Sequence, residues 1–312
     1  MRVAVGGSTG VIGSALVARL QQDGHEVVRL VRPQTRTART GGSGSDPGTV
    51  RWNPRDGTVG AAALAGVDAV VNLAGVGIGQ RPWTARVRRE ITDSRVRSTR
   101  LLAQTLAGLA GGGGPRVLVV ASAVGYYGDR GDEQLTEGSL PGKGFLAGVC
   151  RAWEAAADPA RAAGVRVVHV RTGLVQARGG MLARELPLFR LGLGGRLGSG
   201  RQWWSWVALD DVVGVYRHAI TTEELRGPVN ATAPNPVTNA EHAATLARVL
   251  GRPAVLAVPR FAPRLVLGDM AEELLFYSAR VAPAAALATG YGFRFPSLEP
   301  ALRHVLRRPP GP

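Results

Sequence analysis

The sequence of 312 residues holds 38 Lys and Arg against 23 Asp and Glu, a formal net charge of +15, with 45% hydrophobic and 20% charged residues. These proportions exclude wholesale disorder, and no apolar run reaches the roughly eighteen residues of a spanning helix, so no membrane partner is expected. The positive excess does not mark a nucleic-acid surface either: the cations are spread along the chain, Lys143 is the only lysine, and aromatics at 5% are too few for interleaved stacking platforms.

Cys150 stands alone and so forms no internal disulfide. His25, His169, His218, His242 and His304 are scattered without metal-ligand spacing, so no metal is expected. The opening MRVAVGG enters a strand with no signal-peptide pattern, which makes the expected location cytoplasmic. The length suits one large domain, or a nucleotide-binding domain with a smaller substrate-binding part.

In chain order, strand-like apolar runs recur at Val3–Val5, Val27–Val31, Ala69–Leu73, Val117–Ala121 and Val165–Val170, with helical segments between them. Parallel neighbours need crossovers of about a dozen residues, so this alternation predicts an α/β fold with a Rossmann-type, doubly wound parallel sheet. Gly41–Gly48 and Gly111–Gly114 predict surface loops. The arginine-rich stretch Arg81 to Arg100 predicts a solvated helix face. After about residue 174 the alternation breaks, at the Gly-rich stretch Gly192–Gly200 and then at Trp203, Trp204 and Trp206. The expected organisation is a cofactor-binding core mainly in 1–174, substrate-side segments interleaved with core elements in 175–258, and a small helical C-terminal part in 259–312.

The first strand runs into Gly7-Ser8-Thr9-Gly10-Val11-Ile12-Gly13, a GxxGxxG between a β-branched run and an amphipathic helix. Glycines there permit a positive φ, let the backbone approach a pyrophosphate and let the helix pack on its strand, while the free N–H groups of the helix start hold the anion. The second strand ends at Arg32, where an NAD-selective protein usually carries an acid for the ribose hydroxyls. A guanidinium pairs instead with a 2′-phosphate, so NADPH/NADP is the expected cofactor.

With Asn72-Leu73-Ala74-Gly75 at the end of the third predicted strand, this pattern resembles the extended short-chain dehydrogenase/reductase superfamily, whose fourth-strand motif it matches. More narrowly it resembles the atypical "epimerase family protein" group, through Arg81-Pro82-Trp83-Thr84, Ser94-Arg95-Val96, Gly125-Tyr126-Tyr127-Gly128, Trp153-Glu154, Arg171-Thr172-Gly173, Gly200-Arg201-Gln202 and the tail Gly290–Pro296. The resemblance implies that Asn72, Leu73, Ala74, Gly75, Ala121, Arg171, Thr172 and Gly173 join the glycine loop and Arg32 around the cofactor. It implies a substrate pocket at Arg81, Trp83, Phe145, Arg201, Gln202 and Trp203.

Working members of the superfamily use a Ser or Thr with a Tyr-x-x-x-Lys, the Tyr exchanging a proton with the substrate oxygen. Here that place reads Phe145-Leu146-Ala147-Gly148-Val149, with neither phenol nor amine. Tyr126 and Tyr127, after the strand end where sites of open sheets collect, are candidate acids, with Ser122 beside them and Lys143 close in sequence. Glu154 is expected to be structural, and Asp210 and Asp211 to cap a helix. The expectation is an NADPH-dependent oxidoreductase acting on an unidentified small carbonyl or alcohol, as monomer or homodimer. The alternatives are a non-catalytic NADPH-binding regulator or sensor and, third, a nucleoside-diphosphate-sugar epimerase.

Overall fold

The computed structural model describes residues 1–32 and 48–308. Six strands are labelled in chain order: β1 (Arg2–Gly6), β2 (Glu26–Val31), β3 (Thr49–Asn53), β4 (Thr58–Val59), β5 (Ala69–Asn72) and β6 (Val117–Ala123). Two more, Arg166–Thr172 and Gly227–Ala231, complete one sheet of eight. Its order is Gly227–Ala231, Arg166–Thr172, β6, β5, β1, β2, β3, β4, parallel throughout except for the β3–β4 pair. Both faces are covered, which is why β5 and β6 read as continuous apolar runs rather than alternating ones. The helices α1 (Val11–Gln22), α2 (Ala85–Leu109), α3 (Phe145–Ala155), α4 (Asp158–Ala162), α5 (Gly180–Arg190), α6 (Leu209–Thr221), α7 (Asn239–Leu250) and α8 (Phe261–Leu267) follow. α1 packs with α6, and α2 with α3 and α4, as the two layers of a doubly wound sheet.

The chain order reverses between β5 and β1, the switch point at which open α/β sheets open a crevice beyond their carboxyl ends. Gly6 stands level with Leu30 on one side and Asn72 on the other, so the segments after β1, β2 and β5 emerge together on that edge. The predicted loop Gly111–Gly114 is the turn between α2 and β6. That expected at Gly41–Gly48 lies, apart from Gly48, outside the described residues. Among the described residues no helix is long and apolar enough to cross a membrane.

A second apolar cluster joins α5, α7 and the last helix, Leu298–Leu306, around the fully buried Trp206. The expected role of Asp211 as a cap for α6 needs correction. The N-cap of α6 is Ala208, which has no side-chain acceptor, and the buried Asp211 carboxylate instead accepts from the backbone N–H groups of Arg294 and Phe295 at 2.7 and 2.9 Å. It thus moors the C-terminal segment to the core. The expected helical run after Pro259 is also broken up, because Pro263, Gly268 (φ 59°) and Pro283 confine it to short helical turns before Leu298–Leu306.

Candidate functional site

The three glycines of the first turn do different work. Gly7 has φ 77°, and a Cβ on it would stand 2.6 Å from the Leu73 carbonyl carbon. A Cβ on Gly13 would fall 2.1 Å from the Gly7 oxygen, so α1 and the turn touch only because neither residue has a side chain. Gly10 is unlike both: its φ is −73°, and a Cβ there would meet only the Gly7 oxygen at 3.5 Å, an ordinary contact. The fold itself does not need glycine at Gly10, and a side chain there would stand in the open crevice. As N-cap, Gly10 offers α1 no side-chain acceptor, and the first turn holds no acid, so the opening N–H groups are left for an anion. Ser8 is buried beneath this turn, and Thr9 and Val11 are exposed. A Cβ on Gly179 would lie 2.9 Å from Val11 Cγ2, which brings the beginning of α5 beside that of α1.

Arg32, one residue past β2 on the same edge, is exposed. Asn72 is fully buried: its Nδ2 donates to Ser98 and Thr99 at 3.2 and 2.9 Å, and its Oδ1 accepts from the Ala74 N–H. It fixes the path of Leu73-Ala74-Gly75 past Gly7. Arg95 crosses beneath Gly75, donating to the Val76 and Ile91 carbonyls while its guanidinium lies 5.0 Å from the Trp153 ring. The sequence reading assigned it no part in the site.

At the ends of β6 and its neighbour, Ser122 pairs with Arg171 and Ala123 with Thr172, next to Ala121. Arg171, which the resemblance implied near the cofactor, is almost wholly buried, its Nε and Nη2 on the two oxygens of Glu154, both at 2.9 Å. Burial opposes its charge, but the Glu154 carboxylate more than offsets this and holds its pKa above the ordinary value. Ser122 Oγ donates to the same carboxylate at 2.7 Å. Tyr127 is fully buried; its hydroxyl donates to Asn230 Oδ1 at 2.7 Å and accepts from Arg171 at 3.1 Å. Burial pushes its pKa up to about 12. Tyr127 therefore knits the sheet end together. Tyr126 is half-buried, with the Arg171 guanidinium 3.4 Å from its ring centre. Gly173 must be glycine here, since a Cβ would fall 2.5 Å from the Ser205 oxygen.

Phe145 opens α3, and the helix start is covered from far along the chain: Glu273 accepts from the Phe145 and Leu146 N–H groups at 2.7 and 2.8 Å. No spacing in the sequence signals a partner 128 residues away. The Phe145 ring meets Trp83 edge-on at 4.9 Å, and Trp83 Nε1 donates to the Ile78 carbonyl. Leu146, Ile78, Leu267 and Leu274 pack on the same cluster, and Arg88 lies over both rings while its Nη2 donates to Asp269. On the far side the buried Gln202 amide donates to the Leu197 and Leu275 carbonyls. Residues 261–276 are thus tied on both sides as a strap. A Cβ on Gly79 would find Arg184 Nη1 at 3.4 Å and Leu274 Cδ1 at 3.9 Å, so α5, the strap and the loop before Trp83 converge. Of the expected pocket residues, Trp83 and Phe145 come together and Gln202 anchors the strap. Arg81 pairs with Glu90, Arg201 is exposed, and Trp203 donates to Asp132 beneath Arg280. Lys143 is exposed.

The NAD dependent epimerase/dehydratase model matches residues 3–231, which end where the eighth strand of the sheet ends. The chain belongs to that family. A domain of unknown function, DUF1731, matches 258–305, the stretch that contains the strap and the last helix. An epimerase family protein of Mycobacterium leprae is 42% identical over 98% of this chain and 96% of its own. The human epimerase family protein SDR39U1, crystallised with NADPH, superposes with a TM-score of 0.84 at 36% identity, covering 98% of this chain and 99% of that one. A nucleoside-diphosphate sugar epimerase of Corynebacterium glutamicum gives 0.79 at 39%, covering 98% of this chain and 58% of that one.

Within this epimerase/dehydratase fold the sheet edge carries an uncapped glycine turn, and the apolar Phe145–Trp83 cluster stands at the start of α3. Of the candidate acids, Ser122 and Tyr127 are engaged in a network with Glu154 and Arg171, and Tyr126 is the one whose hydroxyl that network leaves out.

Proposed function

We propose that this chain binds NADPH and works as an oxidoreductase on a small carbonyl or alcohol. The observation that carries the reading is Gly10, a glycine the fold does not require, at an uncapped helix start on the sheet edge that also carries Arg32. Gly7 to Gly13 would hold the pyrophosphate, Arg32 the 2′-phosphate, and Leu73–Gly75 the ribose side, with Ala121, Thr172 and Gly173 toward the nicotinamide. The bound cofactor would supply hydride from nicotinamide C4. The protein's part is to orient the two reactants, to exclude water through the wall of Phe145, Trp83 and Leu274, and to provide a proton at the substrate oxygen. Among Ser122, Tyr126 and Tyr127, Tyr126 suits that last task, because Ser122 and Tyr127 already spend their protons on Glu154 and Asn230. The inferred division of labour is cofactor binding mainly in 1–174, substrate-side segments in 175–258 and a small helical part in 259–312.

Two further readings stand beside it. A regulator or sensor that binds NADPH without turnover is favoured by Phe145 and Val149 where the superfamily's Tyr and Lys fall. A sugar-nucleotide epimerase agrees with the name of the Corynebacterium neighbour. The separating experiment follows bound NADPH during incubation with aldehydes, ketones, quinones and UDP-sugars. Oxidation by a carbonyl, cut about 10²–10⁴-fold by Tyr126→Phe with unchanged NADPH affinity, is the expected result. Tight NADPH binding with no oxidation by any of them and no epimer formed from a UDP-sugar would favour the sensor, whereas an epimer without net oxidation would favour the epimerase.

A further inference from the structure

Half of the large hydrophobic side chains that are exposed among the described residues lie around the outer side of the strap. Leu191 and Leu193 after α5, Val255, and Phe261, Leu265 and Val266 at α8 are between 52% and 81% exposed. They share one face. The strand Gly195–Leu197 pairs with Leu256–Val258, a Cβ on Gly192 would meet Pro253 at 3.7 Å, and α8 begins three residues after that strand and buries none of its own residues. Large apolar side chains gathered on one face in this way mark a contact site on most soluble proteins.

The rim of the face is cationic. Arg190 and Arg252, next to Leu191 and Pro253, are exposed and have no ion-pair partner among the described residues. The nearby acids are otherwise occupied or withdrawn: Glu272 is engaged by Arg260 and Arg264, Asp269 by Arg88, and Glu185 is half-buried.

We propose that this face seats on an anionic lipid surface as a peripheral contact, its apolar side chains entering the headgroup boundary and its arginines meeting lipid phosphates. Side chains this exposed protrude and do not line a groove, which suits a deformable apolar phase better than a peptide. A second copy of this chain suits the arginines less well, because the nearby acids on the same face of that copy would already be engaged or withdrawn.

The test is flotation of the full chain with phosphatidylcholine vesicles with and without phosphatidylglycerol, beside light scattering of the free protein. The expected result is binding to the anionic vesicles only, weakened at least about tenfold in Leu265→Gln/Val266→Gln and again in Arg190→Glu/Arg252→Glu. NADPH affinity and thermal midpoint should stay unchanged in both. Failure to float with anionic vesicles at low salt would overturn the proposal. So would equal binding by the Leu265→Gln/Val266→Gln protein, which would assign the attraction to net charge, or a dimer in the wild type that this variant dissociates, which would assign the face to a second copy.

Discussion

Gly10 and Gly13 sit three residues apart in one turn, yet substitution should separate their roles. Gly10→Val leaves the backbone relaxed and puts a branched side chain where the pyrophosphate would approach, so a folded protein without measurable NADPH affinity is expected, by circular dichroism and fluorescence titration. Retained affinity would make the motif a structural turn only. Gly13→Ala forces a Cβ onto the Gly7 oxygen and should lower the thermal midpoint before any ligand is added. The buried pair behaves differently again. Arg171→Met strands the Glu154 carboxylate without its cation, at a cost of about 3–5 kcal/mol in urea unfolding, part of which adding Glu154→Gln should restore. At this scale the glycine spacing and the lost Tyr and Lys were legible, because each depends on residue type at a fixed place in the chain. The inward turn of Arg171 and the engagement of Tyr127 were not, since both are set by partners such as Asn230, 103 residues away from Tyr127.

Helix α3 shows what an element owes to distant sequence. Gly144 gives its first turn no side-chain acceptor, and the negative charge that suits a helix start comes from Glu273 on the strap. Glu273→Ala should therefore destabilise the protein by about 1–2 kcal/mol, loosening the strap from Phe145. An unchanged unfolding midpoint would show that the contact contributes nothing net. By contrast α7 carries its own boundaries: Thr238 and Glu241 form a reciprocal cap, and Gly251 ends the helix at φ 65°. The strands of the sheet were equally legible, because apolar runs separated by helical stretches are a local signal. The acids in the first turn of α6 misled because Asp211 has the chemistry of a cap but faces the C-terminal segment, a choice made by tertiary packing.

Over the whole molecule, two buried histidines work to make stability fall with acid. Burial depresses His169 and His242 to about 4 in the folded chain, below their ordinary 6.5, and neither ring nitrogen of His242 has a partner among the described residues. The unfolded chain thus binds more protons between those values, so stability should rise from pH 4 to 6.5. Glu185, raised by burial to about 7, works in the opposite sense from its ordinary 4.5 upward, but it is one half-buried group against two fully buried ones. Thermal midpoints across this range should climb with pH, and His242→Leu should flatten the climb; the same slope in that variant would remove His242 from the explanation. The central claim concerns the crevice at the sheet's switch point, and titration of the protein with NADPH and with NADH tests it most directly. The account predicts NADPH affinity at least about tenfold higher, from the charge-assisted pairing of Arg32 with the 2′-phosphate, and an inverted order in Arg32→Glu. Equal affinities for the two cofactors, or no binding of either, would contradict it.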